Sequence, residues 1–157
     1  MTVDTITWPN LNDLWLREFR PLYKRLDFPL LESLQGTHRG EVVGPRWVRR
    51  LAPVAFALGG LGGWWGKRFD AAGNGVNIVQ RGGRLVELMP VRVVLRPSLV
   101  DGKACLTIIY PPETTPFPMS RVMDEIRQLD ENRLLGLAII QQRGLRRFSL
   151  PFVLHRT

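Results

Sequence analysis

The second half of the chain is a series of strand-length apolar runs separated by short turn signals. The runs VNIVQ, LVELMPVRVVLRP and ACLTIIYPP are joined by RGGR and by SLVDGK. Glycine in such turns tolerates the left-handed backbone that tight hairpins need. Successive strands joined in this way predict an antiparallel up-and-down meander. A meander of this length has an exposed-edge problem, which closing into a barrel solves.

Helical patterns precede and interrupt the meander. From Asn10, apolar residues recur at helical spacing, with Asn10 as the predicted N-cap and Pro21 expected to kink or split the helix. A second short helix is expected in DFPLLESL, capped by Asp27. After the strand GTHRGEVVG, the pattern predicts a third helix from Arg46 to Leu58.

The 157 residues suit a single domain with a sizeable core. We predict a mainly β (α+β) fold, with a helical segment over residues 1–35 and a barrel over residues 36–157. Residues 45–58 form a helical insertion that would cap one mouth of the barrel as a lid. Residues 119–130 fit either a helix or a strand of a hairpin, and we favour the hairpin.

The net charge of +8 suits an anionic partner. The basic residues come in small groups, several of them beside Gly or Pro, and this distribution predicts solvated loops. A nucleic-acid-binding protein more often has a continuous basic stripe, zinc-finger spacing or aromatic RNA-binding motifs, and the sequence shows none of these. Nucleic acid is therefore not the favoured partner. The groups are Arg46, Arg49 and Arg50; Lys67 and Arg68; Arg81 and Arg84; and Arg143, Arg146 and Arg147.

The start of the sequence, MTVDTITWPN, lacks the pattern of a signal peptide. The longest uncharged run, residues 51–66, is too short to span a bilayer and contains Pro and several Gly. Because arginines precede this run and a basic pair follows it, segment 46–65 is a candidate for contact with a membrane surface. The single cysteine, Cys105, is interpreted as a small core residue, and a cytoplasmic location is expected.

The stretch GGLGGWWGKRFD is predicted to connect the lid to the second strand. Trp64 and Trp65 are adjacent, so in a strand they point to opposite faces, and we predict that Trp65 faces the interior. The full set of predicted interior residues is Trp65, Phe69, Ile78, Val93, Leu95, Ile108, Tyr110 and Ile126.

The segment LESLQGTHRGEVVG, followed by GGWWGKRFD, resembles the GXWXG family. The later segments CLTIIYPP, VMDEIRQLDENRLLGLAI and FSLPFVLHR are similar to the domain of unknown function that commonly follows it. The resemblance covers Phe28 to Arg156 and implies a lipocalin-like barrel; it does not by itself imply an enzyme. His38 stands where the family has its signature Trp. In lipocalin-like barrels a Trp near the first strand packs on a basic residue of the last strand, and His38 and Arg156 would take these two positions.

Two groups of residues have the chemistry for a site. His38 and His155 would come together if the first and last strands pair, and by analogy with nitrobindin-like barrels His155 is an alternative haem ligand. The acidic residues Asp124, Glu125, Asp130 and Glu131 are candidates for a general acid–base pair, although such a group more often forms a solvated turn. We assign no catalytic residue and no metal site.

The favoured function is the binding of a hydrophobic, anionic small molecule, such as a fatty acid, inside the barrel. Inward basic residues would meet the carboxylate or phosphate of the ligand. The alternatives are an interaction module that uses the basic outer surface to bind protein or nucleic acid, and a haem-binding barrel. The predicted ligand-binding residues are Trp47, Trp65, Arg68, Phe69, Arg92, Tyr110 and Arg127.

Overall fold

A computed structural model describes residues 7–145 and 148–157 as an antiparallel barrel of eight strands. Each strand pairs with the next along the chain, and the last strand pairs with the first to close the barrel. This confirms the predicted mainly β, up-and-down, lipocalin-like architecture. The strands are β1 (Gly36–Val42), β2 (Trp64–Phe69), β3 (Asn74–Arg81), β4 (Arg84–Pro97), β5 (Ala104–Ile109), β6 (Val122–Gln128), β7 (Arg133–Ile140) and β8 (Ser149–Arg156).

Glycines form the tight turns at the predicted places. Gly82 and Gly83 have φ of +56° and +76°, and they are the two central residues of the turn between Arg81 and Arg84, which pair with each other. Two consecutive positive φ angles give a turn whose twist matches that of the flanking strands. Gly102, with φ of +73°, provides a left-handed residue in the longer connection between β4 and β5.

Residues 119–130 form a short 3₁₀ helix, Met119–Arg121, followed by β6. Strand β6 pairs with β7 along its whole length, so the favoured hairpin is confirmed. The pattern resembled a helix because β6 is buried on both faces. Asp124 and Ile126 point into the barrel, while Glu125 and Arg127 lie under the N-terminal segment, and this burial obscures the alternation expected of a strand.

The N-terminal helices differ from the prediction. Asn10 caps only a short 3₁₀ helix, Leu11–Asp13, and the main helix α1 spans Leu16–Lys24 with Pro21 inside it. The break therefore falls at residues 14–15, where the backbone is extended, and Glu18 Oε2 accepts a hydrogen bond of 2.6 Å from the Trp15 N–H. The segment DFPLLESL forms only the 3₁₀ helix Leu31–Leu34, and Asp27 pairs with Gln128 instead of capping it.

Helix α2 spans Arg46–Leu58, as predicted, and lies over the barrel end at which β2 begins. Its Phe56 ring stacks on Trp64, the first residue of β2, with 5.0 Å between the ring centroids. The lid is therefore held to the barrel wall by an aromatic contact.

The protein has two apolar cores, one on each side of the β6–β8 wall. Outside the barrel, Phe19, Leu22 and Tyr23 of α1 pack on Met123 and on Leu135, as part of a cluster that also includes residues of β8. This packing buries most of the outer face of β6–β8.

The second core lies inside the barrel and extends from the end away from the lid to Met119 and Phe152, near the lid. Leu34 closes the end away from the lid and belongs to one buried cluster with Phe69, Val93, Ile108, Tyr110 and Ile126. These five predicted interior residues are confirmed. Ile78 is buried, but its neighbours Asn77 and Val79 face the interior instead, and Leu95 is exposed at the end of β4.

Candidate functional site

The lid end of the barrel contains a cavity of about 730 Å³. Its rim is formed by exposed apolar side chains of α2 and of the loops before β6 and before β8. Its walls include Phe56, Trp64 and Phe152, and its deepest lining residues are Lys67, Tyr110 and Asp124. The cavity is therefore an apolar space with a single polar cluster at its buried end.

Trp64, not Trp65, lines the cavity. Strand β2 contains a β-bulge: Trp64 lies opposite Val79 and Gly66 lies opposite Ile78, so Trp65 has no partner on β3. One extra residue reverses the alternation on one side of the bulge. Trp64 therefore faces inward together with Lys67 and Phe69, and the predicted interior position of Trp65 is wrong.

Lys67 is the centre of the polar cluster. Its Nζ donates hydrogen bonds of 2.7 Å to Asn77 Oδ1 and of 2.7 Å to the Tyr110 hydroxyl, and lies 3.3 Å from Asp124 Oδ2. The Tyr110 hydroxyl donates to the same Asp124 oxygen at 3.2 Å. Trp64 Nε1 donates to Asn77 Oδ1 at 3.2 Å. The ammonium is thus held by three acceptors in an otherwise apolar interior.

Burial controls the protonation chemistry of this cluster. Loss of hydration lowers the pKa of Lys67, and the nearby Asp124 carboxylate opposes that change. Burial likewise raises the pKa of Asp124, against the attraction of Lys67. Burial and the adjacent carboxylate raise the pKa of Tyr110 well above its usual value. Burial therefore favours the neutral form of each group, while the attraction between Lys67 and Asp124 favours the ion pair.

The three arginines predicted to face inward all lie outside the cavity. Arg68 is on the outer face of β2, where it pairs with Glu87, and Arg92 is exposed on β4. Arg127 is fully buried, but on the outer side of β6. The alternation of β2 and β6 puts Arg68 and Arg127 on the face opposite to Lys67 and Asp124.

Arg127 joins the N-terminal segment to the wall. Its guanidinium forms two hydrogen bonds of 2.8 Å with the Asp101 carboxylate, donates to the Tyr23 carbonyl and lies over the Tyr23 ring. Its role here is structural, because every one of these partners lies outside the barrel interior.

The other predicted ligand-binding residues are divided between the cavity and the packed core. Trp47 and Tyr110 line the cavity, at the rim and at the polar cluster respectively. Phe69 is buried in the packed half of the interior, in edge contact with His38, and does not reach the cavity. The structure therefore brings Trp47 and Tyr110 to one site and excludes the rest of the predicted set.

The two histidines lie on opposite faces of the barrel wall. Strands β1 and β8 pair as predicted, with His38 opposite Arg156 and Arg39 opposite His155. The His38 ring is buried in the interior, where burial lowers its pKa, whereas His155 pairs with Glu41 on the outer face at 2.8 Å. This arrangement does not support a haem site inside the barrel that uses His155.

The remaining candidates do not contribute to the cavity. Glu125 faces outward from β6 and accepts hydrogen bonds from Ser98 and from the Leu99 N–H, while Asp130 pairs with Arg133 at the β6–β7 turn. Cys105 is buried, as its apolar flanks predicted, and burial raises its pKa.

The arginine group near residue 145, metal sites and membrane-spanning helices can be assessed only over the described residues. Arg143 is exposed, whereas Arg146 and Arg147 lie outside the described residues. Over residues 7–145 and 148–157, no three His, Cys, Asp or Glu side chains are grouped to hold a metal ion. Over those same residues, no helix has the length and hydrophobicity needed to cross a bilayer.

Sequence reasoning missed Lys67, Asn77 and Trp64 as site residues, and it treated Asp124 only as part of an acidic run. A signal was present, because Lys67 is two residues from Phe69 and Asp124 is two residues from Ile126. Both apolar residues were predicted to face inward, and a period of two carries the charged residues to the same face.

No family model matches the chain, and no curated protein matches it. One solved structure is similar: that of a protein from Thermomonospora curvata. The TM-score is 0.66 and the sequence identity 21%, over 90% of this chain and 86% of that chain. The likeness supports the barrel fold alone, and the resemblance to the GXWXG family stays a prediction.

Proposed function

We propose that the protein binds a hydrophobic small molecule with one polar end inside the barrel, with α2 as the lid. The cavity of about 730 Å³ carries this proposal. Ligand sites typically measure about 300–1,000 Å³ and combine an apolar lining with a few placed polar groups. A tail would contact the apolar walls, and the polar end would reach the Lys67 cluster.

The polar cluster constrains the chemistry of that end. Lys67 and Asp124 compensate each other, so the cavity offers no uncompensated charge at its buried end. The hydrogens of Lys67 and of the Tyr110 hydroxyl are already donated within the cluster, so the oxygens of Asp124 and Tyr110 are left to accept from a ligand. A polar end that donates a hydrogen bond, such as an alcohol or a protonated carboxylic acid, is therefore matched best. The anionic head expected from the sequence depended on Arg68, Arg92 and Arg127, none of which faces the cavity. Lys67 and the exposed Arg121 remain the cations of the lining.

We also propose that the protein is cytoplasmic. Its one thiol, Cys105, is buried in the wall and is free. A chain of this kind does not depend on an oxidising compartment for its fold.

Native mass spectrometry of the protein as purified from cells tests the proposal directly. We expect a retained apolar molecule, which organic extraction then assigns to a chemical class. Titration with a fluorescent fatty acid, dansyl-undecanoic acid, provides the affinity. Bare protein with no saturable binding of the probe would contradict the proposal.

A matched pair of variants identifies the cavity as the site. Ala138 lines the cavity, whereas Ala104 is exposed at the start of β5. The Ala138→Phe substitution places a ring in the space where the tail would lie, so we expect probe binding to weaken by about tenfold or more. Ala104→Phe adds the same ring at an exposed position at the far end of the barrel, away from the cavity, and leaves the affinity unchanged. Equal weakening in both variants would show that the probe binds elsewhere.

A further inference from the structure

We propose that the rim of the cavity docks on an anionic phospholipid bilayer. The docking surface, called here the mouth surface, consists of Trp47, Leu51, Leu58, Phe117, Leu145 and Phe148. All six residues line the same cavity, so they surround one opening. All six are also exposed, Leu58 to 80% and Phe117 to 75%.

Helix α2 carries two apolar stripes. Val48, Ala52 and Phe56 face the barrel. Trp47, Leu51, Val54 and Leu58 recur at helical spacing and form a second, exposed stripe, which includes the part of the helix at the cavity rim. A contiguous exposed apolar stripe of this kind is typical of a surface that contacts a membrane or a partner.

Aromatic residues extend this surface toward the N-terminal segment. Trp15 is exposed and lines a shallow depression together with Trp47 and the start of α2. Tryptophan is enriched at membrane interfaces, where its ring contacts the acyl region and its N–H contacts the headgroups. Trp15 and Trp47 both line this depression, where each could make such a contact.

Five arginines lie around the opening. Arg46 and Arg50 stand at the start of α2, and Arg121 lines the cavity mouth. Because Trp64 pairs with Val79, the β3–β4 turn lies at this end of the barrel as well, with Arg81 and Arg84. Cations at a helix N-terminus oppose the helix dipole, so helix stability does not account for Arg46. Anionic headgroups would stabilise all five arginines.

The same charges disfavour a second copy of this chain as the occupant. In a two-fold interface the same patch meets itself, so the arginines around one mouth would face their own copies. Asp13 lies in the shallow depression with Arg46 and Arg50, so one acidic group stands against the five arginines. An anionic bilayer is complementary in both charge and hydrophobicity, as the sequence pattern of residues 46–65 also indicated.

This proposal goes beyond cargo binding and can fail independently of it. Docking is measured with protein and vesicles alone, by co-sedimentation with phosphatidylcholine vesicles with and without phosphatidylglycerol. We expect binding only when phosphatidylglycerol is present, and weaker binding as the salt concentration rises. Absence of binding to the anionic vesicles would overturn the docking proposal and leave the cavity proposal intact.

Paired variants test whether the mouth surface makes the contact. Leu51→Glu with Leu58→Glu replaces two exposed leucines at the mouth, and we expect vesicle binding to weaken by more than about tenfold. Leu30→Glu with Leu95→Glu makes the same change of charge and hydrophobicity at leucines that are 66% and 63% exposed near the far end of the barrel. This control pair should weaken binding far less.

Two results would overturn the assignment of the surface. One is an equal loss of vesicle binding in the control pair, which would indicate a charge effect without a defined docking face. The other is a wild-type dimer that the Leu51→Glu and Leu58→Glu pair converts to a monomer, which would assign the surface to a second copy. Circular dichroism of every variant confirms that the barrel is folded.

Discussion

At the scale of single residues, Lys67 and Asp124 determine the character of the interior. Each is almost fully buried, and each has its charge compensated by the other. Removing water from two ions costs several kcal/mol each, and their attraction repays this only while both are present. Removing one partner should therefore destabilise the protein strongly, whereas replacing both with apolar residues should change the free energy of unfolding little.

We predict that Lys67→Met lowers the free energy of unfolding by about 3 kcal/mol, because it leaves Asp124 buried without its partner. The double variant Lys67→Met with Asp124→Leu should recover most of that loss. Urea unfolding of the single variants and the double variant, as a double-mutant cycle, measures the coupling. Losses that simply add would contradict a coupled pair.

Single residues are also where the sequence predicted least well. Alternation along β2 favoured Trp65 for the interior, and a bulge that depends on pairing with β3 put Trp64 there instead. Arg127 was predicted to face inward, which was wrong, because the alternation that points Ile126 inward points Arg127 outward. That this outward position is buried depends on the distant Tyr23 and Asp101. Both outcomes depend on contacts far along the chain, which local patterns do not contain.

At the scale of elements, an aromatic side chain of the barrel, Trp64, contacts the lid. Trp64 stacks on Phe56 of α2 and makes an edge contact with Phe152 of β8 at 5.8 Å. Gly40 of β1 leaves room for this ring, since a Cβ at that position would overlap it. The lack of a side chain at Gly40 therefore allows Trp64 to take the position in which it packs on α2.

We predict that Gly40→Ala displaces the Trp64 ring and destabilises the protein by about 1–3 kcal/mol, as overpacking does. Gly62→Ala is the matched control, because its Cβ would make an ordinary contact of 3.6 Å with Ala57. Thermal unfolding gives the stability, and near-ultraviolet circular dichroism reports the packing of the tryptophans. An unchanged tryptophan signal in Gly40→Ala would show that the ring is not held as described.

Elements were easier to predict than residues. Turn glycines and apolar runs are local, so the strands, the lid helix and the β6–β7 hairpin could all be anticipated. The N-terminal helix was less predictable, because its apolar spacing continues across the extended residues 14–15. Packing against β6–β8 decides where that helix begins, and this information is not local.

At the scale of the whole molecule, a buried ion pair joins three parts of the structure. Asp101 lies in the β4–β5 turn, Arg127 on β6, and the Tyr23 carbonyl in α1. The hydrogen bonds from Arg127 lower the pKa of Asp101 from 3.8 to about 2. The unfolded chain therefore binds a proton at Asp101 more readily than the folded chain does, so folding is favoured above the unfolded pKa.

We predict that this contribution, at most about 2 kcal/mol, is lost as the pH falls from about 4 to about 2. Asp101→Asn should be less stable than wild type at neutral pH and lose less stability over that range. Asp124, whose pKa is raised, acts in the opposite direction but is the same in both proteins. Urea unfolding at several pH values measures the difference, and Asp13→Asn, at an exposed carboxyl, is the control. Parallel pH curves for wild type and Asp101→Asn would refute the prediction.

Over the described residues, the two ends of the barrel differ. Its far end is filled by Leu34, Phe69 and their neighbours, and its open end lies under α2. A lipid in a bilayer has its headgroup at the surface and its tail beneath. A barrel resting on that surface with its mouth downward would receive the headgroup first, carry it up to Lys67 and draw the tail in behind it. The cargo would never have to turn around, and on release it would leave tail first, in the orientation that a membrane accepts.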